Sequence, residues 1–487
     1  MPHELERFWH RLSVQARDCP HEVAVQGADE RVTWAQLRDE VERRAGELER
    51  QAPAALILAL DNGPQALLWD LAALFAGCPC VVIPTFFSPQ QFAHCVQQSG
   101  ATLALVDEVW TAQLLSAGFS RTAAFWHRSA PRPVTLPEGT AKITYTSGST
   151  GQPKGVCLSA EAMLCVARTL EEASRNASAQ RYLAVLPLGV LLENLGVYAA
   201  LMAGACVQLY PQAQLGISGA TQVDFERLLG AIALSGAHSV ILVPQLLLGL
   251  VTAIERGLMP VGALRFVAVG GARVSQALLE RAEAIGLPVY EGYGLSECAS
   301  VVALNRPGAH RLGSVGKPLP HVQVRIAEDG EVLVAGSTLL GYLGEPPLHA
   351  SWWATGDLGY LDAQGYLYLN GRKKHQFITS FGRNVSPEWV EAELTQCGAL
   401  AQVFVHGEGL PHNVALLWPR DPASSDADIE QAVRQGNARL PDYARVHHWR
   451  RLPEPLDSHL HTLTANGRPR REAILARYHR LLSDIAL

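Results

Sequence analysis

Through the first half of the chain, short apolar runs alternate with longer stretches of helical spacing. Leu37, Val41, Ala45 and Leu48 fall on one face of a Glu/Arg-rich helix within residues 1–52. Beyond it, apolar runs at 54–60, 80–83, 103–106, 141–145, 183–185, 206–209, 240–243 and 266–269 read as strands. Stretches long enough for helices lie between most of them, at 64–75, 89–99, 160–174, 225–235 and 245–256. This alternation predicts an α/β fold of parallel sheets covered by helices.

After about residue 310 the pattern changes. Short strands at 322–326, 331–334 and 365–369 are separated by Asp329-Gly330 and by turn residues at 362–365, which predicts hairpins. From 374 onward a charged, Pro-containing segment carries a helix at 387–396, a strand at 401–406 and a polar C-terminal helix from about Arg470. The division predicts a large N-terminal domain, residues 1–373, and a smaller α+β domain, residues 374–487. There is no internal repeat and no low-complexity tract.

With 487 residues, 48% of them hydrophobic and 18% charged, the chain can bury a substantial core. A net charge of −6 with mixed signs gives no basic stripe and argues against a nucleic-acid partner. The nine cysteines are scattered singly except for Cys78 and Cys80 around Pro79, a pattern that fits a reducing cytoplasm and offers no zinc-knuckle spacing. The N-terminal residues are polar and lack the apolar core of a signal peptide. The most apolar stretch, 183–207, holds Pro187, Glu193 and Asn194 and glycines at 189, 196 and 204, so a pocket wall is expected there and no transmembrane segment.

The chemistry is concentrated in four places. Residues Ile143 to Gly155 run from a β-prone lead into a loop of hydroxyls and glycines that ends in Lys154. Glycines let the backbone approach a ligand, amides and hydroxyls donate to phosphate oxygens, and the lysine supplies a point charge. Pro153 before the lysine and Gly155 after it exclude the Walker A pattern. Tyr290 to Glu297 offers aromatic rings, two glycines, a hydroxyl and a carboxylate, suited to stacking on a base and holding Mg²⁺. Asp357, behind Gly356, can accept the two hydroxyls of a ribose, and Gly371-Arg372-Lys373-Lys374-His375 places a cationic run at the domain boundary.

The order and wording of these motifs resemble the adenylate-forming superfamily of acyl-CoA synthetases, peptide-synthetase adenylation domains and beetle luciferases. The resemblance runs from Val32-Thr33-Trp34 to Gly467-Arg468 and is strongest with the fatty acyl-CoA ligase branch, through Leu186-Pro187-Leu188, Gly371 to Lys374 and Thr379 to Pro387. It implies a large domain with a distorted β-barrel part and a small mobile domain turning about a hinge near Lys374.

It also implies roles. Thr146, Ser147, Gly148, Ser149, Thr150, Gly151 and Lys154 would wrap the phosphates of ATP, with Thr150 and Glu297 toward Mg²⁺. Gly270, Gly271 and Ala272 would line the adenine and the acyl carboxylate, Gly292, Tyr293 and Gly294 would sandwich adenine, and Ser296 would touch the α-phosphate. Asp357 and Arg372 would hold the ribose. The implied reaction joins a carboxylic acid to AMP with release of pyrophosphate, then passes the acyl group to the thiol of CoA. Lys154, Glu297, Arg372 and Arg468 are its expected catalytic set. Positioning and charge neutralisation are the main requirements of the first step, which explains the absence of a nucleophile triad.

The sequence departs from the family pattern at Ser296 for Thr, at Gly189 for a His or aromatic residue, at His375 for Asp, and at Arg468, where the family carries a lysine. Arginine keeps the charge but not the shape of an ammonium. Three outcomes stay open: a ligase using CoA, an acyl-adenylate donor to an acyl carrier protein or an amine, and a nucleotide-binding protein impaired in adenylation. Gly189, Val190, Leu191, Leu192, Glu193 and Gly196 suggest an alkyl lining and a medium- or long-chain fatty acid. The remaining expectations are a cytoplasmic monomer or homodimer.

Overall fold

The computed structural model describes residues 3–129, 134–146, 153–219, 222–348, 350–464 and 467–486. Two large sheets dominate. In the first, the strands Val23–Gln26, Cys206–Gln208, Arg181–Leu183, Ser239–Leu242, Phe266–Val269 and Val289–Tyr293 lie side by side and parallel, with antiparallel strands at both edges. In the second, Leu103–Val106, Leu56–Ala59, Cys80–Val82 and Thr140–Thr146 form the parallel centre. These central strands are apolar and buried on both faces, as at Leu56–Ala59, because helices cover a parallel sheet. Local chemistry starts the helices where the sequence allows. Thr33 with Gln36, and Ser88 with Gln91, make capping boxes for Trp34–Gln51 and Pro89–Ser99.

The helices Pro64–Phe75 and Leu191–Met202 are buried nearly all round. One polar network joins them to the second sheet. Lys142, fully buried on Thr140–Thr146, donates to Asp70 at 2.7 Å and to Tyr198 at 3.1 Å; Asn194 and Tyr198 donate to Asp70 at 2.8 and 2.6 Å. The pair is tolerable in the interior because neighbouring donors and acceptors satisfy it. The apolar stretch 183–207 thus becomes a strand end and a core helix, and among the described residues no helix is long and apolar enough to cross a membrane.

The β-rich part after residue 310 is a four-stranded antiparallel sheet, Val322–Ile326, Glu331–Gly336, Trp353–Leu361 and Leu367–Arg372. From Phe377 onward a separate core forms around a three-stranded sheet, Leu400–His406, Asn413–Pro419 and Val446–Arg451, with the helices Pro387–Thr395, Asp426–Asn437 and Arg471–Ala486. The periodicity missed Asp426–Asn437, whose buried face is only Ile429, Ala432, Val433 and Gly436. It also missed the strand Lys154–Ser159, which begins on the lysine of the expected phosphate loop and pairs antiparallel with the strand leading into that loop.

Candidate active site

A cavity of about 2260 Å³ opens between the parallel strand ends of the first sheet, the four-stranded sheet and the C-terminal part. Thr146 and Lys154 face each other across the last register of their strand pair and both line it. The intervening Ser147, Gly148, Ser149, Thr150 and Gly151 lie outside the described residues. Three contacts fix the lysine end of that loop. His94 bonds through Nε2 to the Pro153 carbonyl oxygen at 3.0 Å, and the Lys154 ammonium lies 5.0 Å from the Tyr342 ring centre and 3.4 Å from Glu345. Tyr342 also donates to Glu297 at 3.0 Å, so one phenol touches both the lysine and the carboxylate expected to hold Mg²⁺.

Ser296 and Glu297 sit in a single tight turn, Ser296–Cys298. Ala299 and Ser300 follow with φ of 50° and 87°, left-handed conformations that cost non-glycine residues on the order of 1–3 kcal/mol each. Gly294 is obligatory here, since a Cβ on it would stand 1.5 Å from the Ser300 carbonyl oxygen. Mg²⁺ keeps several waters and takes one or two carboxylates together with substrate phosphates. A lone, partly exposed Glu297 facing the lysine end of a phosphate loop fits that demand.

Asp357 and Arg372 are cross-strand partners, and the Arg372 Nε lies 2.8 Å from one Asp357 oxygen. Tyr293 donates to the other oxygen at 2.6 Å. Burial raises the Asp357 carboxyl above its ordinary range against the pull of Arg372, and burial likewise pushes the Tyr293 phenol up. Gly270 and Gly292 approach closely, a Cβ on Gly270 standing 3.2 Å from the Gly292 carbonyl oxygen. Gly271 and Ala272 are exposed to the cavity beside them.

Arg468 enters from the C-terminal part and donates through Nη2 to the Gly271 carbonyl oxygen at 2.8 Å. Its charged neighbours are Arg372, Asp357 and Glu297. Lys374 lines the same cavity with an exposed side chain, and His375 is hydrogen-bonded to Glu388.

The acyl-side expectations need one correction. Glu193 does not line the cavity. Its carboxyl is 0% exposed and accepts from the Tyr182 phenol and, at 2.8 Å, from the Leu186 amide, because the first turn of its helix packs back on that segment. Two donors favour its charged form, yet burial wins and lifts it to about 8. Gly189 does line the cavity, and a Cβ there would meet the Pro84 backbone at 3.0 Å. Gly196 lines it as well, and the Tyr182 hydroxyl and Ile241 stand 2.5 Å from where its Cβ would be. The helix Leu191–Met202 contributes Leu192, Gly196, Ala199 and Ala200 to the cavity wall, and Tyr182, Ile241 and Phe225 complete that part of the lining.

Sequence reading missed the residues that act through the fold. Asn62 clamps the segment 186–188, donating to the Leu186 carbonyl oxygen at 2.9 Å and accepting from the Leu188 amide at 2.6 Å. Tyr342, Glu345 and His94 sit in unremarkable local sequence. The signal that could have found Tyr342 was the pairing of Gly341–Tyr342 with the strand after the loop.

The AMP-binding enzyme family matches residues 12–343, and the AMP-binding enzyme C-terminal domain matches residues 374–485. A putative fatty-acid–CoA ligase of Mycobacterium tuberculosis is 28% identical over 421 residues, covering 72% of this chain and 74% of that protein. A 2-succinylbenzoate–CoA ligase of Bacillus licheniformis is 28% identical over 471 residues, covering 89% and 93%. Among solved structures, an anthranilate CoA ligase in complex with anthranoyl-AMP shares the fold with a TM-score of 0.80 at 20% identity, over 98% of both chains.

Proposed function

The chain belongs to the AMP-binding enzyme family, and within that family we propose that it activates a carboxylic acid with Mg²⁺ and ATP as an acyl-adenylate and transfers the acyl group to CoA. The observation that carries this reading is the meeting of Lys154, Glu297, the Asp357–Arg372 pair and Arg468 on one cavity that continues along an apolar helix face. In the first step a carboxylate oxygen bonds to the α-phosphorus of ATP and the bond to the β-phosphate oxygen breaks, releasing pyrophosphate. In the second, the CoA sulfur bonds to the acyl carbon, AMP leaves, and the thiol proton passes to solvent. Mg²⁺, when bound, neutralises phosphate charge. Lys154 does the same at the loop, Asp357 accepts from the ribose, and the Arg468 guanidinium neutralises charge where the two substrates meet.

The acid is a medium- or long-chain fatty acid. Leu192, Gly196, Ala199 and Ala200 line the cavity along a helix of 12 residues, a length of about 18 Å, which suits an extended alkyl chain better than a single ring. The relatives named for succinylbenzoate and anthranilate favour a second reading, an aryl acid, in the same site.

ATP–pyrophosphate exchange over a panel of alkyl and aryl acids, repeated with CoA, tests both. The expected result is exchange with alkyl acids of about eight or more carbons and AMP release on adding CoA. Exchange with aryl acids alone moves the assignment to the second reading. An acyl-adenylate that forms while CoA is not consumed replaces CoA by another acceptor. Neither binding of Mg·ATP nor an adenylate with any acid overturns the function.

A further inference from the structure

The turn that carries Ser296 and Glu297 is held mostly by backbone. Leu295 O accepts from the Cys298 and Ser300 amides at 3.0 and 3.1 Å, and Leu339 donates to Glu297 O at 2.8 Å. One buried side chain also grips it. His321 is 9% exposed and bonds through Nε2 to the Val301 carbonyl oxygen at 2.8 Å, immediately after the left-handed pair Ala299 and Ser300. A carbonyl can only accept, so Nε2 carries the proton. Nδ1 faces the Thr169 hydroxyl at 2.7 Å, and Thr169, 1% exposed, belongs to the helix Ala160–Ser174. Burial pushes the imidazole down to about 4, which keeps it neutral and preserves this tautomer at ordinary pH. The His321 backbone is fixed as well, its carbonyl accepting from Ser337 at 3.2 Å.

We infer that His321 is a positioning residue: through Val301 it holds the left-handed turn closed, ties that turn to Thr169, and so fixes where Ser296 and Glu297 face the nucleotide. Nothing in the local sequence marks it, and no atom of it reaches the ATP cavity. The assignment rests on Glu297 as the carboxylate that faces Mg²⁺. His321 then acts on Glu297 as an outer partner acts on a metal ligand, by fixing its orientation without touching the ion.

The test uses the full chain with variants H321L, H321Q and T169V. Two readouts are taken: hydrogen exchange of amides 298–302, and calorimetric binding of ATP as Mg²⁺ is varied. H321L is expected to speed exchange in that segment while the strand Glu331–Gly336 keeps its protection, and to raise half-saturating Mg²⁺ about tenfold. H321Q, whose amide N–H can still reach the Val301 carbonyl oxygen, is expected to recover most of both, and T169V to shift both in the H321L direction by less. Unchanged exchange and Mg²⁺ dependence in H321L, or failure of H321Q to recover them, overturns the assignment. Should H321L not fold, T169V decides, and wild-type values in T169V overturn it. Wild-type protein that binds no Mg·ATP overturns the reading of the site itself, an outcome distinct from variants that match a binding wild type.

Discussion

Arg468 and Gly271 are 197 residues apart, yet the arginine's Nη2 donates to the glycine's carbonyl oxygen at 2.8 Å. The contact carries a cation from the C-terminal part to the floor of the cavity, beside Asp357 and Glu297.

Truncation should therefore separate the two half-reactions. Arg468→Ala is expected to slow ATP–pyrophosphate exchange by about 10²-fold, while thiolation from a supplied acyl-adenylate changes little. Arg468→Lys should keep most of the exchange rate. An Ala variant with wild-type exchange removes Arg468 from the catalytic set.

Tyr293 and Arg372 share the two oxygens of Asp357, so losing one donor leaves half of a buried carboxylate uncovered. Tyr293→Phe is expected to cost about 1.5–3 kcal/mol of stability and to raise the KM for ATP more than it lowers kcat. Urea denaturation and steady-state kinetics on one preparation check both.

Burial lifts Glu193 to about 8, above the ordinary value of 4.5 that applies once the chain unfolds. Between those values the unfolded chain has lost this proton and the folded chain still holds it. The group's contribution to stability is therefore full below pH 4.5 and declines as pH rises to about 8, with a slope of up to about 1.4 kcal/mol per pH unit. Glu193→Gln should flatten the measured dependence of unfolding free energy across that window. An unaltered slope would show that the carboxyl ionises freely inside the fold.

Lys142 and Asp70 are each 2% exposed or less, and their bond ties the second sheet to the helix Pro64–Phe75. Lys142→Met strands a buried carboxylate and is expected to destabilise by about 3–5 kcal/mol. The double variant with Asp70→Asn should recover part of that loss, as coupled residues do in a double-mutant cycle.

Much of the fold was legible because its causes are local. The runs at 54–60 and 266–269 are strands since parallel strands buried on both faces admit only apolar residues. In the site, Thr146 and Lys154, named from the hydroxyl- and glycine-rich loop between them, both line the cavity. What misled was the acyl side, where Glu193 read as a pocket residue and proved to be buried against Tyr182 and the Leu186 amide.

The sequence by itself determined the α/β class and the order of the motifs, since period and turn chemistry are local, while the roles expected of those motifs came from their resemblance to a family. Only the tertiary structure decided that Glu193 turns inward, that Tyr342 touches both Lys154 and Glu297, and that His321 grips the turn beside them. Each of these depends on which residues from distant segments share one small volume, and burial, hydrogen bonding and steric fit act on that neighbourhood without regard to distance along the chain.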